Sequence, residues 1–229
     1  MHLKTFAKYL LKLDDKWSLI FVFVIAAITV LTLYVPVDTP DTARFKEQAD
    51  SIVSGHGYRT LGTLETWLPP GYPVLIAATN YLGGGDLTVR TIQIVLFISA
   101  CGLLYLALRP ASRAIALLGA TAMAIHPLAA RLVGYQLSET FGLFLCGAFI
   151  FAFSRINDGN KLLLLLFGAC SVFLPLTSPA TIILCIFLFG YVVLRKLTDN
   201  KVVDITFLIA GAFVVMLPWQ VHCVGDDCE

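Results

Sequence analysis

Apolar runs alternate with short polar breaks along most of this chain, in a rhythm that fits helices crossing a membrane. Seven stretches stand out: Trp17 to Pro36, Leu87 to Leu108, Ala114 to Ala130, Leu137 to Ser154, Leu162 to Leu176, Ser178 to Leu194 and Val202 to Pro218. At about 1.5 Å per residue, stretches of about 20 residues cross a hydrocarbon core of roughly 30 Å, and those nearer 15 only just do. The expected fold is all-α, a single integral membrane domain over 1–229 with about seven transmembrane helices. Between the fifth and sixth stretches the linker Leu-Thr-Ser-Pro-Ala-Thr (176–181) is polar but uncharged, so a re-entrant hairpin is an alternative there.

The rhythm is interrupted once at length, by the polar segment from Val37 to Asp86. Within it, Phe45, Ala49, Ile52 and Val53 recur at helical spacing, which predicts an amphipathic helix over Asp41 to Ser54, capped by Asp41 or Thr42 and stopped by Gly55-His56-Gly57. Leu68 to Leu82 is apolar, but its run after Pro73 is too short to span and ends in Gly83-Gly84-Gly85. A second interfacial helix fits better than an eighth crossing.

Composition agrees with a membrane location: 58% of residues are hydrophobic, 14% are charged, and the mean hydropathy is +0.84. The net charge of +1 gives no long-range field, and no nucleic-acid partner is expected. The placement of the basic residues is more informative. Lys4, Lys8, Lys12, Lys16, Arg109, Arg113, Arg155, Lys161, Arg195, Lys196 and Lys201, eleven of the 16, fall on one side of a seven-span topology. The positive-inside rule then puts the amino terminus in the cytoplasm and the carboxyl terminus outside, in the inner (plasma) membrane of a bacterial-type cell. The first stretch lacks a small-residue cleavage site and reads as an uncleaved signal anchor.

Chemistry is carried by few residues. There is no phosphate-binding glycine loop, no dinucleotide fingerprint and no nucleophile elbow. Asp41 follows the first stretch by about five residues, at the membrane boundary, where a carboxylate can act as general base or hold a divalent cation; its plainer role is a helix cap. Glu139 opens the fourth stretch near His126 and Arg131, either as a site residue or as a first-turn acid favoured by the helix dipole. Arg59, Arg90 and Arg131 share that side and suit a phosphate or diphosphate, or else snorkel to headgroups. Asp86 and Arg90 also have the spacing of an ordinary i, i+4 pair. Cys101, Cys146, Cys170 and Cys185 lie in apolar runs as small hydrophobes. Cys223 and Cys228 can form a disulfide in an oxidising compartment, although a solvated tail is the simpler reading of His222 to Cys228.

The order of short motifs resembles a known family. Asp41-x-x-x-Phe45-x-x-x-Ala49, Gly55-x-Gly57-Tyr58, Pro69-Pro70-Gly71-Tyr72-Pro73, Arg90, Leu137-Ser138-Glu139 and Pro218-Trp219 follow one another as in the C-type glycosyltransferases of the protein O-mannosyltransferase and aminoarabinose transferase kind. The resemblance implies transfer of a sugar from a polyprenyl-phosphate donor to an acceptor at the outer face. It implies Asp41 as the catalytic aspartate, Glu139 as a second acid lining the site, and Arg90 as the residue holding the loop or the donor phosphate. Membrane lipids, the lipid-linked sugar and other membrane subunits are the expected partners. Two adjacent acids, or a Tyr, often stand in the family where this chain has Asp41-Thr42 and Phe45. Members also continue past the seventh span, whereas this sequence ends at Glu229. A shortened, non-catalytic subunit with a structural or lipid-binding role in a larger complex is therefore the alternative expectation.

Overall fold

The computed structural model describes residues 14–65, 68–156, 160–199 and 201–225. Among the described residues the chain is helical apart from one two-residue ladder and the connecting turns. Helix α1 (Asp15–Leu33) leads to α2 (Pro40–Val53), the antiparallel pair β1 (Arg59–Thr60) and β2 (Thr63–Leu64), and α3 (Gly71–Tyr81). Then come α4 (Asp86–Leu108), α5 (Arg113–Ala124), α6 (Pro127–Leu132), α7 (Ser138–Arg155), α8 (Lys161–Phe173), a 3-10 turn (Pro179–Thr181), α9 (Ile182–Thr198) and α10 (Val202–Gly225).

Three of these are long and apolar enough to cross a membrane, by length and composition: Asp15–Leu33, Asp86–Leu108 and Pro179–Leu197. Arg113–Ala124, Lys161–Phe173 and Val202–Leu217 are shorter apolar helices. The third stretch breaks in two because Pro127 cannot donate a backbone hydrogen bond and holds His126 extended (ψ 111°). His126 Nδ1 accepts from the Ala129 amide at 3.2 Å and so caps α6. The fifth stretch gives a 13-residue helix that unwinds into turns at Leu174–Thr177, before the proline-led 3-10 turn opens α9. The seventh continues past Pro218 to Gly225.

Two apolar clusters hold the helices. Val22, Ala26 and Val30 of α1 meet Phe97, Cys101 and Tyr105 of α4 and the alanines of α5. The larger cluster joins α7, α8, α9 and α10, and reaches Phe45 and Ala49 of α2 and Tyr72 and Ile76 of α3. At its centre Phe149 stacks on Phe167, with ring centroids 4.4 Å apart and 10° between planes. Helices α8 and α10 make the densest pairing in the molecule. Gly168 lies against the Leu208 carbonyl and Gly211 against the Leu165 carbonyl, so each helix presents a bare backbone patch to the other. Cys101, Cys146, Cys170 and Cys185 are free thiols packed among these side chains.

Contacts between elements define two ends. At one, Asp15 bridges Arg109 (2.6 Å from Nε) and Arg113 (3.1 Å), joining the start of α1 to the end of α4 and the start of α5. At the same end of the parallel helices α4 and α7, Lys196 Nζ donates to Asp204 Oδ2 at 2.6 Å and to the Ile156 carbonyl at 3.4 Å. The other end carries α2, the ladder and α3. Gly71 N–H donates to the Leu176 carbonyl at 2.9 Å, and the space a Cβ would need at Gly71 is filled by Thr177 and Leu176. That approach explains the glycine in Pro69-Pro70-Gly71-Tyr72-Pro73.

Candidate functional site

The site candidates gather where α2, α3, and the starts of α4 and α7 meet. Helix α2 begins one residue earlier than the pattern predicts. Thr39, not Asp41 or Thr42, is its cap: the Thr39 hydroxyl accepts from the Thr42 amide (3.2 Å), the Thr42 hydroxyl accepts from the Thr39 amide (3.1 Å), and Pro40 takes the first helical position. This frees Asp41 from capping. It stands exposed in the first turn, and among the described residues it makes no hydrogen bond or ion pair. Glu139 occupies the equivalent place in α7, exposed in the first turn and likewise without an ion pair among the described residues.

Between the two helix starts lies Tyr72, fully buried. Its ring meets Phe45 edge-on at 5.2 Å, and its hydroxyl accepts from Gln93 Nε2 at 2.8 Å. The same Gln93 nitrogen donates to the Leu137 carbonyl at 3.1 Å, which ties α3 and α4 to the residue preceding α7. Burial pushes the Tyr72 hydroxyl well above its ordinary pKa; Arg90 and the Gln93 hydrogen bond pull it down, and the charges of Glu139 and Asp86 push it up. Tyr72 is therefore a neutral phenol. Gln93 Oε1, Gln136 Oε1 and Thr140 Oγ1 are buried in the same region without a protein partner.

The charges around this mouth do not pair as the sequence suggests. Asp86 and Arg90 form no i, i+4 bridge. Asp86 Oδ2 accepts from Lys46 Nζ at 2.6 Å, while Arg90 Nη2 reaches Asp38 at 2.8 Å and Nη1 donates to the Gly134 carbonyl at 2.8 Å. Gly134 O also accepts from the Val37 amide at 3.0 Å, and the Val35 carbonyl occupies the space a Cβ would need at Gly134. Arg90, its side chain only 12% exposed, is thus a clasp between α4, the segment leaving α1 and the turn before α7. Replacing it with alanine leaves that carbonyl with the Val37 amide alone and Asp38 with the more distant Lys46 (3.7 Å), at a cost of about 1.5–3 kcal/mol. A lower thermal midpoint for purified Arg90→Ala, with Arg90→Lys intermediate, is the expected result.

Arg59 spends its guanidinium on its own turn, donating to the His56 carbonyl (2.9 Å) and the Gly62 carbonyl (3.3 Å). Arg131 is exposed at the last turn of α6 and makes no ion pair among the described residues. No hydrogen bond or ion pair joins Asp41 to Glu139, or either of them to Arg131 or His126. The strip around Arg59 contributes to two pockets of about 550 Å³. One is polar, with Glu47, Ser51, His56 and Arg59; the other is apolar, with Ile52, Tyr58, Phe173 and Val214. Neither is lined by Asp41 or Glu139. Among the described residues no group of three or more His, Cys, Asp or Glu side chains comes together, so a divalent cation at Asp41 would find no ready-made ligand set. The Pro218 and Trp219 side chains, and the pairing of Cys223 with Cys228, lie outside the described residues.

The sequence reading missed a buried polar knot beneath β1 and β2. Glu65 is 9% exposed; its Oε2 accepts from Thr60 Oγ1 (2.9 Å) and Gln48 Nε2 (3.3 Å), and its Oε1 accepts from the Leu68 amide (3.2 Å). The Tyr58 hydroxyl lies 3.2 Å from Gln48 Oε1 and 3.1 Å from the Leu68 carbonyl. Burial, and then the Glu65 charge, push its pKa up, so Tyr58 too stays a neutral donor. The signal available was Gln48 beside Ala49 on the apolar face of α2, a polar side chain where a core residue belongs. Compared with protein-family models, with curated proteins and with solved structures, the chain matches none.

Proposed function

We propose that this chain is a membrane glycosyltransferase of the C-type architecture, with seven crossings in all. It transfers a sugar from a polyprenyl-phosphate donor to an acceptor at the outer face of the inner membrane. The amino terminus is cytoplasmic and the carboxyl terminus faces the periplasm. The observation that carries the reading is the shared setting of two uncommitted carboxylates: Asp41 and Glu139 stand in the first turns of α2 and α7, which are tied to the Tyr72–Gln93 contact through Phe45 and the Leu137 carbonyl. In the reaction Asp41 takes the proton from the acceptor hydroxyl or amine as its bond to the sugar carbon forms, and the polyprenyl phosphate leaves with the bonding electrons. Glu139 orients the acceptor from the opposite helix start. Of the three arginines, Arg131 has its guanidinium available for the departing phosphate, while the contacts of Arg90 favour the loop-holding role.

The test is transfer from labelled polyprenyl-phosphate sugars by the purified full-length chain. Asp41→Asn, exposed and without partners to lose, is expected to lower turnover about 100-fold or more while leaving the thermal midpoint unchanged. Undiminished turnover removes Asp41 from the chemistry. A second reading, a non-catalytic structural or lipid-binding subunit, is favoured by one observation: α9 leaves Ile183, Ile186, Phe187 and Leu194 at least half exposed. Stoichiometric partners retained in mild detergent would support it, and an active, partner-free preparation would exclude it.

A further inference from the structure

At the opposite end from Asp41, the last turns of α7 and α9 enclose a pocket of about 210 Å³, with Ser154, Tyr191, Arg195 and Lys196 among its walls. Three features mark it as more than a gap between helices. Lys196 is 2% exposed, yet its ammonium commits only two of three donors, one to Asp204 and a longer one to the Ile156 carbonyl. Arg195, next to it, is exposed, and its side chain makes no ion pair or hydrogen bond among the described residues. Tyr191 sets its ring 6.0 Å from Phe153 and is itself half exposed, as an aromatic at the level of lipid headgroups would be.

The helix leading to this pocket supplies the rest of a lipid site. Helix α9 is the least covered of the three span-length helices, with only 17% of its apolar window buried. Its hydrocarbon face ends at Arg195 and Lys196, on the end of the bundle that also holds Arg109, Arg113, Arg155 and Lys201. From this geometry we propose that the pocket binds the phosphate of an anionic phospholipid. The acyl chains lie along α9, Arg195 forks onto the phosphate oxygens, and the spare Lys196 donor adds a third contact. Asp204 holds the neighbouring side of Lys196 and leaves Arg195 as the net positive charge of the pocket. The proposal does not depend on the glycosyltransferase reading.

The experiment uses the full chain in nanodiscs of phosphatidylcholine alone or of four parts phosphatidylcholine to one part phosphatidylglycerol, with native mass spectrometry and thermal unfolding as readouts. The parent protein should retain a phosphatidylglycerol adduct and melt at higher temperature in the mixed discs. Arg195→Gln should bind phosphatidylglycerol at least tenfold more weakly, from the loss of the charged fork on the phosphate. Arg44→Gln, at the other end of the molecule, should match the parent. Equal retention of the two lipids by the parent overturns the proposal, as does undiminished retention by Arg195→Gln. Inorganic phosphate added to lipid-free detergent micelles should not stabilise the chain; stabilisation equal to the lipid arm would overturn the lipid assignment.

Discussion

Asp204→Ala should destabilise the protein by about 3–5 kcal/mol, because it leaves a buried ammonium without its counter-charge. Lys196 and Asp204 have side chains only 3% and 15% exposed and an N–O separation of 2.6 Å, which removes the screening that makes surface pairs weak. The remaining partner of Lys196 is the Ile156 carbonyl at 3.4 Å, too long to replace a carboxylate. The pair itself contributes little net stability, since desolvating both charges offsets most of their attraction. The double variant Lys196→Met, Asp204→Leu should therefore regain most of the loss. Thermal unfolding in detergent across this double-mutant cycle measures the coupling, and a single variant as stable as the parent would show that water reaches Lys196.

Leucine at Gly168 or Gly211 should also be strongly damaging. In both positions the neighbour is a backbone carbonyl on the facing helix, so no rotamer change can make room and the helices themselves must separate. The α8–α10 pairing is the most extensive in the fold, and losing its registry disturbs the stacked rings of Phe149 and Phe167 behind it. A loss of about 3 kcal/mol or more is expected, seen as aggregation on size-exclusion chromatography. Gly190→Leu is the matched comparison, because a Cβ there meets nothing, and it should behave as the parent.

These two sites show where a linear reading stops. The apolar rhythm and the 3.6-residue spacing of Phe45, Ala49 and Ile52 were sufficient for an all-helical membrane chain and for helices α2 and α3 in the polar segment. Asp41 and Glu139 were legible as helix-start acids from their distance to the apolar runs. The partner exchange among Asp38, Lys46, Asp86 and Arg90 was not. It joins residues 40 and 52 positions apart, and local spacing offered the nearer Asp86–Arg90 pair instead. The packing glycines were equally hidden, since Gly168 and Gly190 look alike until the facing helix is known. The break at His126 was legible in principle from Pro127; the apolar content on both sides outweighed it.

The clasp at Gly134 and the staple from Gly71 to Leu176 also set an order of events during synthesis. The segment between Val37 and Asp86 emerges early, yet its fixing points arrive with residues about 100 positions later. At chain growth of about 5–20 residues per second, that interval is roughly 5–20 s during which α2 and α3 exist without Gly134 or Leu176 to hold them. The segment is thus made well before the residues that fix it, and a ribosome stalled before Leu176 would carry it without its staple to Gly71.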